Sequence, residues 1–488
     1  MFSGIVKKIG GLFKIERTIL RGAEDLVSRR RRIRIVVLGS KNSGKTVFLT
    51  ALASNLLNHR RPHVGDLDGF NLNQWEAHVE EGLVKSTDEQ IPDFPYLRYR
   101  EGFAKSPPEW PEKTVKEMTV LRLPLVFRKE GRRDVSILLE LLDLPGERIA
   151  DLSMVGKSYR EWCEWLQAKF AGRYRANKEY LDYLDKARSC QSKEELFAAY
   201  KDYLKSEHKK FSPWVVPSVV KLTKEGKSTG FMQELDSRPL GLDFESQFVP
   251  VPTEFFDKES GRKDWTAGFS CSYDKYKKII VMPISRWLCE ADQLVYLLDI
   301  LNVLKCGVEV YNQERKFGEA VLGLFSRRKT RIVGGAILDY FANMLTTRIK
   351  NAYVVVTKND LAVSEDADNL RRLADEMLGK ELRGLLDGMS ESNIRTCAAV
   401  DTIKIKRKGD RDVPYARVSV AAPESEYRQI HVPDHWPDSN AWRKAVDEVA
   451  TYWFDDTWPL FDEREDASPR QRGLDYLVRA LLQNVLDD

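Results

Sequence analysis

An apolar run that leads through a glycine-rich loop into an amphipathic helix constrains this chain more than any other feature of its sequence. Residues 33–38 read Ile-Arg-Ile-Val-Val-Leu, which predicts a buried strand, and residues 39–46 read Gly-Ser-Lys-Asn-Ser-Gly-Lys-Thr. Apolar residues then recur at helical spacing from Val47 to Leu56. This strand, loop and helix predict an α/β fold of the phosphate-loop type, with a mostly parallel sheet flanked by helices.

The loop matches the pattern G-x-x-x-x-G-K-[ST], whose residue types suit a bound phosphate. Gly39 and Gly44 let the backbone turn its N–H groups toward the anion, and the helix directs its positive end at the same point. Lys45 is expected to reach the β- and γ-phosphates, and the Thr46 hydroxyl to bind Mg²⁺. The residues predicted to bind nucleotide here are Gly39, Asn42, Ser43, Gly44, Lys45, Thr46 and Val47.

A second motif follows another apolar strand at 135–142. Asp143-Leu-Pro-Gly146 comes directly after that strand. Asp143 is predicted to hold Mg²⁺, often through a water, and the Gly146 N–H to sense the γ-phosphate because no side chain blocks its approach. D-x-x-G alone is weak evidence, since Asp and Gly are common in turns, but its place after a phosphate loop strengthens it.

A third motif, Thr357-Lys358-Asn-Asp360, follows the β-branched residues 354–356. A polar turn after a buried strand is the simpler interpretation. In the order found here, however, Asp360 is placed to accept two hydrogen bonds from guanine N1–H and its 2-amino group. Adenine lacks that donor pair and would leave the carboxylate unsatisfied. Lys358 is expected to lie along the base, and Thr357 replaces the commoner Asn.

Two further strand ends are candidates for the same site. Residues 395–400 predict a strand that would bring the backbone N–H groups of Ala399 and Val400 to the guanine oxygen. Asp299 ends the apolar strand 294–299 and either meets the nucleotide or caps the next helix, and the sequence favours the cap.

The wide spacing between motifs predicts two insertions. The first spans about 60–115 and makes Thr114 the candidate switch threonine for Mg²⁺ and the γ-phosphate, with an ordinary loop threonine as the alternative. Glu147 stands where many GTPases carry a water-orienting Gln, and its charge would repel the γ-phosphate. The predicted catalytic residues are therefore Lys45, Thr114 and Glu147, and the expected hydrolysis is slow or partner-assisted.

The second insertion spans about 148–290. Its aromatic residues between 162 and 204 recur at helical spacing, which favours a helical core over RNA contact, and 211–264 reads as loop-rich with short strand-like pieces such as 247–251. The predicted organisation is a basic segment (1–32), the first part of the core (33–147), the insertion lobe (148–290) and the second part of the core (291–488).

Residues 1–34 hold ten Lys or Arg against three Asp or Glu, with apolar residues at helical spacing. We expect residues 1–32 to contact an anionic membrane surface; a helix packed on its own domain is the alternative. The net charge of +4 is too mild to predict a nucleic-acid partner, and the six cysteines are scattered. A cytoplasmic location, peripheral on the inner membrane, is expected.

The chain resembles the YcjX-like family of bacterial P-loop GTPases, often called stress proteins, from about residue 33 onward. The resemblance rests on residues 39–52, 143–147, 273–288, 294–307, 354–360 and 473–482, of which 273–307 is the most family-specific. It implies GTP or GDP as ligand with Mg²⁺, a large helical insertion, and a link to envelope or phage-shock stress. A GTP-binding scaffold that scarcely hydrolyses and an ATPase remain open, and the protein partner is unknown.

Overall fold

A computed structural model describes most of the predicted core and part of the insertion. The described residues are 31–39, 43–58, 76–79, 91–104, 118–128, 131, 133–144, 151–152, 154–170, 178–210, 247–257, 259, 261–306, 311, 314–315, 318–319, 321–322, 349–361, 367–385, 393–399, 403–408, 411–416, 428–429 and 473–486.

Within these residues, seven strands form one sheet in the spatial order β2-β3-β4-β1-β5-β6-β7. The pairs β2–β3 and β3–β4 are antiparallel and the other four pairs are parallel. The predicted α/β class with a mostly parallel sheet is therefore confirmed. The strands are β1 (Arg31–Gly39), β2 (Glu76–Val79), β3 (Thr119–Arg128), β4 (Val135–Asp143), β5 (Gln293–Leu298), β6 (Asn351–Val356) and β7 (Ile394–Thr396).

Helices cover both faces of this sheet. They are α1 (Lys45–Asn58), α2 (Tyr96–Ala104), α3 (Tyr159–Phe170), α4 (Lys178–Ser189), α5 (Lys193–Lys210), α6 (Lys263–Tyr276), α7 (Met282–Glu290), α8 (Ile300–Cys306), α9 (Ala367–Leu385) and α10 (Leu474–Leu486). A π-helical turn, Lys277–Val281, joins α6 to α7, and 3₁₀ turns lie at Thr253–Phe256 and Asn359–Leu361.

A separate antiparallel sheet contains β8 (Ile403–Lys408), β9 (Arg411–Ala416) and β10 (Arg428–Gln429). Among the described helices, none combines the length and the apolar character that a membrane-spanning segment needs.

Successive side chains of β1 point to opposite faces of the sheet, and the core therefore has two layers. Ile33, Ile35 and Val37 belong to the layer that contains α1, α2 and α10. Val36 and Leu38 belong to the opposite layer, which contains α3–α9. Because both faces of the central strands are covered, their sequences are almost continuously apolar, and this made them recognisable.

The carboxyl ends of the parallel strands β4, β1, β5, β6 and β7 meet at one edge of the sheet. The loop after β1 lies at the point where the connections change direction, because the chain continues through β3 and β4 on one side and returns to β5 on the other. The helices on either side of this point, α1 and α7, pack on opposite faces. A crevice for a ligand is expected at such a point in an open α/β sheet.

A buried group of charges fixes β1 to β3 and β4, away from that edge. Arg34 Nε donates to one carboxylate oxygen of Glu140 at 2.7 Å, and Arg122 Nε donates to the other at 3.0 Å. Burial alone would raise the pKa of Glu140, but the guanidinium groups around it, that of Arg34 foremost, outweigh burial and hold the pKa below its usual value. The carboxylate is therefore kept charged inside the sheet.

The two predicted insertions contribute to the folded core. In the first, β2 extends the edge of the sheet, and α2 packs on α1 through a 3.2 Å hydrogen bond between Ser54 Oγ and Tyr96 Oη. In the second, α3–α5 are helical as expected. The strand-like reading of 247–251 is wrong, because this segment pairs with no described strand.

Residues 247–252 are instead held by side chains. Pro250 and Pro252 have no N–H to offer to a strand partner. Tyr159 Oη donates to the backbone oxygen of Val249 at 2.5 Å, and Tyr183 Oη donates to that of Pro250. Buried tyrosine hydroxyls thus satisfy carbonyl groups that would otherwise need a neighbouring strand.

Candidate functional site

The two glycines of the loop after β1 are required for different geometrical reasons. A Cβ on Gly39 would lie 2.6 Å from the backbone oxygen of Leu297 and 2.5 Å from Ser43 Oγ, so no side chain fits there. Gly44 has a φ of 89° in open space, a conformation that side-chain-bearing residues rarely adopt. Ser43 is fully buried between them, and Asn42 lies outside the described residues.

The first turn of α1 points polar groups at the same edge. Phe48 N donates to Gly44 O at 2.8 Å, which begins the helical hydrogen bonds. Lys45 Nζ donates to Gly39 O at 2.8 Å, so its ammonium group is held at the start of the loop. Val47 follows, partly buried. The first N–H groups of any helix lack acceptors within the helix, and together with an adjacent ammonium group they suit an anion.

Thr46 and Asp143 meet across the gap between β1 and β4. Thr46 Oγ1 donates to Asp143 Oδ2 at 3.4 Å, although the two residues are far apart in the sequence. Parallel pairing places Asp143 opposite Val37, near the end of β1, and only 4% of Asp143 is exposed. A hydroxyl and a carboxylate at this spacing are hard oxygen donors of the kind that Mg²⁺ takes when phosphate oxygens and waters complete its shell.

This pair does not form an all-protein metal cage. Among the described residues, no group of three or more His, Cys, Asp or Glu side chains could hold a metal ion. The oxygen pair fits a metal that arrives with a phosphate ligand. Three predicted residues, Thr114, Gly146 and Glu147, lie outside the described residues, and their roles stay predictions.

The third motif lies at the end of β6, two strands from the phosphate loop. Thr357 N donates to Leu298 O at 3.0 Å, which continues the pairing of β6 with β5. Lys358 has a φ of 62°, the left-handed conformation, and the chain then enters a 3₁₀ turn that buries Asp360 to 2% exposure. Holding Lys358 in this left-handed conformation costs about 1 kcal/mol, which the surrounding contacts must offset.

One of those contacts is an ion pair whose importance was underestimated from the sequence. Asp299 directly follows β5 and precedes α8, as a helix cap would. Its carboxylate also accepts a hydrogen bond from Lys358 Nζ at 2.8 Å, and its side chain is 1% exposed. The sequence showed an acidic residue at the end of a buried strand, but only the order of the strands in the sheet places Asp299 beside Lys358.

The end of β7 joins the same edge. Cys397 N donates to Val356 O at 2.8 Å, and Asn359 N donates to Cys397 O at 3.4 Å. Ala399 follows, partly buried, while Val400 lies outside the described residues. The tip of β7 therefore lies against the third motif, as its predicted contribution to a base site requires.

The sequence is similar to a family model over most of its length and to named relatives over shorter stretches. A family model described as "YcjX-like family, DUF463" matches residues 33–486. A relative from Shewanella oneidensis named "Ras-like GTPase YcjX" is 31% identical over 153 residues, which cover 29% of this chain and 31% of the relative. A relative of the same name from Escherichia coli is 32% identical over 192 residues, or 36% of this chain and 39% of the relative. The matched region spans less than two fifths of either relative.

Proposed function

The chain belongs to the YcjX-like family, and from that premise we propose that it binds GTP and GDP and hydrolyses GTP slowly as a nucleotide-dependent switch. The observation that carries the proposal is the meeting of three motifs at one edge of the sheet. Lys45 and Thr46 follow β1, Asp143 ends β4, and the segment that contains Asp360 follows β6. Each motif supplies the residue types for one part of a guanine nucleotide.

In this proposal the loop of residues 39–46 surrounds the phosphates. Its N–H groups and Lys45 neutralise the anion, and Thr46 and Asp143 hold Mg²⁺. When bound, Mg²⁺ neutralises charge on the β- and γ-phosphates. The 3.4 Å approach of Thr46 Oγ1 to Asp143 Oδ2 supports a shared ligand for these two residues. Thr114 and Gly146 would respond to the γ-phosphate.

The base would be chosen by Asp360, with Lys358 alongside it and the N–H groups of Ala399 and Val400 near the guanine oxygen. An ATPase is the competing assignment. Calorimetric titration of the full-length protein with GTP and with ATP, each with Mg²⁺, separates the two. We expect GTP to bind at least about a hundredfold more tightly, because adenine lacks the N1–H and 2-amino donors that the Asp360 carboxylate would accept from guanine. Equal affinities would refute guanine selection.

The variant Asp360→Asn tests the residue itself. Its side chain replaces a carboxylate oxygen by an amide N–H₂, which can donate to the 2-oxo group of xanthine. We expect this variant to lose GTP and gain xanthosine triphosphate. Asn359→Asp is a matched control on the neighbouring residue, and it should not gain xanthosine triphosphate.

Hydrolysis is the second part of the proposal, and a non-hydrolysing GTP scaffold is its alternative. Glu147 supports a slow rate, because a carboxylate can orient water but repels the γ-phosphate. Single-turnover hydrolysis of radiolabelled GTP distinguishes the two. We expect a measurable first-order rate that Lys45→Ala abolishes and Glu147→Gln alters. A rate no greater than that of GTP in buffer would favour the scaffold.

The cellular setting is proposed from the family and from the first residues. Family membership supports a role in bacterial envelope or phage-shock stress, with a protein partner that receives the switch. The basic segment 1–32 lies outside the described residues, and contact with an anionic inner-membrane surface stays a prediction. The mild net charge supports no nucleic-acid partner.

A further inference from the structure

The chain segment at 151–157 begins only a few residues after the D-x-x-G motif. Asp151, Leu152, Met154 and Val155 are all buried, with 0–3% exposure. Leu144, which directly follows Asp143, belongs to the same hydrophobic cluster. Segment 151–157 is therefore the first described part of the chain after Leu144, and it is anchored in the same hydrophobic cluster.

Three side-chain donors from α6 and the turn that follows it hold that segment, and the hydroxyl of Tyr273 is shared between two carbonyl oxygens. Tyr273 Oη lies 3.1 Å from Met154 O and 3.2 Å from Lys157 O. Tyr276 Oη donates to Asp151 Oδ2 at 2.7 Å, and Lys277 Nζ donates to Lys157 O at 2.7 Å. All of these contacts join residues more than a hundred positions apart in the sequence, so they are tertiary and not local.

The same helix continues into the GTPase core. Helix α6 passes through the π turn at 277–281 into α7, which is fixed to β1 because Arg34 stacks on Trp287 at 4.5 Å and pairs with Glu290. Pro283 lies directly after this turn and has no N–H to donate to the carbonyl one helical turn earlier, which favours a local departure from α-helical hydrogen bonding. π turns of this kind often mark functional positions within a helix.

The rings of the same two tyrosines pack against the insertion lobe. The Tyr273 ring lies 5.6 Å from that of Tyr159 and 5.5 Å from that of Trp162, both on α3. The Tyr276 ring lies 5.6 Å from that of Phe248. The two tyrosines therefore pack with their rings into the lobe and with their hydroxyls onto segment 151–157.

We propose that Tyr273, Tyr276 and Lys277 form a latch that makes the insertion lobe respond to the second switch. A γ-phosphate that repositions the D-x-x-G loop would shift segment 151–157, and the latch would transfer this shift to α6. The ring contacts of α6 would pass it on to α3 and, through Phe269 and Phe197, to α5. The lobe is then the part of the chain that reports the nucleotide state. This inference rests on the proposed GTP-dependent switch and specifies its output.

Hydrogen–deuterium exchange tests the latch on the full-length protein with Mg²⁺ and either GDP or a non-hydrolysable GTP analogue. In the parent chain we expect exchange in α4 and α5 (178–210) to differ between the two nucleotides. The double variant Tyr273→Phe/Tyr276→Phe keeps both rings and removes both hydroxyls. We expect it to reduce that difference by about threefold or more while nucleotide affinity is retained.

Tyr159→Phe is the matched control. It also removes a buried tyrosine hydroxyl from the same aromatic cluster, but its hydrogen bond goes to Val249 within the lobe. The control should keep the nucleotide-dependent difference. If the double variant is poorly folded, Lys277→Met removes one latch bond with little change to the aromatic packing and should give a partial reduction.

Two results would overturn the latch. One is an exchange difference in 178–210 that is as large in the double variant as in the parent. The other is no difference in the parent although calorimetry on the same samples shows that both nucleotides bind. A failure of both nucleotides to bind would instead refute the proposed function, so the two failures are distinguishable.

Discussion

The ion pair between Lys358 and Asp299 predicts an asymmetric response to the loss of either partner. The two side chains approach to 2.8 Å, but the lysine side chain is 44% exposed whereas the aspartate side chain is 1% exposed. Removing the lysine leaves a charge in the interior. Removing the aspartate charge leaves an ammonium group that water can reach.

The magnitudes follow from that difference. Breaking a fully buried pair by deleting one partner costs about 3–5 kcal/mol, and the half-exposed lysine reduces this to about 2–3 kcal/mol for Lys358→Met. Asp299→Asn keeps the shape of the side chain and removes only its charge, so it should cost about 0.5–1 kcal/mol. We therefore expect Lys358→Met to be more destabilising by about 2 kcal/mol.

Urea unfolding of the nucleotide-free protein, followed by tryptophan fluorescence, measures both variants and the double variant. In the double variant the buried charge is gone, so it should be more stable than Lys358→Met alone. Equal costs for the two single variants, or a larger cost for Asp299→Asn, would show that the aspartate is not held as a buried charge by this lysine.

Four further predictions concern the loop, the metal, a half-buried lysine and the amino-terminal segment. Lys45→Ala should abolish nucleotide binding in calorimetry while the melting temperature of the nucleotide-free protein stays within about 2 °C, because Lys45 contributes no core packing. Chelation of Mg²⁺ should weaken GTP binding by at least tenfold (about 1.4 kcal/mol), and Thr46→Val should remove most of that dependence; an unchanged affinity would contradict the oxygen pair with Asp143. Burial lowers the pKa of Lys157 to about 7, so between about pH 7 and its ordinary pKa the unfolded chain holds a proton that the folded chain has released. The free energy of unfolding should therefore rise with pH through this window relative to that of Lys157→Met. Parallel pH profiles of the two proteins in urea unfolding would refute this. Deletion of residues 1–32 should abolish salt-sensitive flotation with anionic liposomes, and equal flotation of both proteins would indicate a packed helix instead.

Local chemistry makes the core strands and their motifs recognisable in the amino-acid sequence itself. The strands β1, β4 and β6 are buried on both faces, so each is a nearly unbroken apolar run followed by polar motif residues. Gly39 and Gly44 were identifiable because a tight loop demands them at fixed spacing, and the geometry gives each a steric reason. The predicted edge of the sheet follows from these runs, because parallel strands bring their carboxyl ends together.

Tertiary structure alone decided which distant residues meet. The pairing of Asp299 with Lys358 depends on β5 lying beside β6, and the latch depends on α6 crossing segment 151–157. Neither contact leaves a periodic pattern, because each involves single polar side chains whose neighbours are set by strand order and helix packing. The prediction of a strand-like piece at 247–251 was wrong for a related reason, because carbonyl groups of this segment accept hydrogen bonds from buried tyrosine hydroxyls. Hydrophobic periodicity records which face of an element is buried, and it carries no information about which polar group lies on the element packed against it.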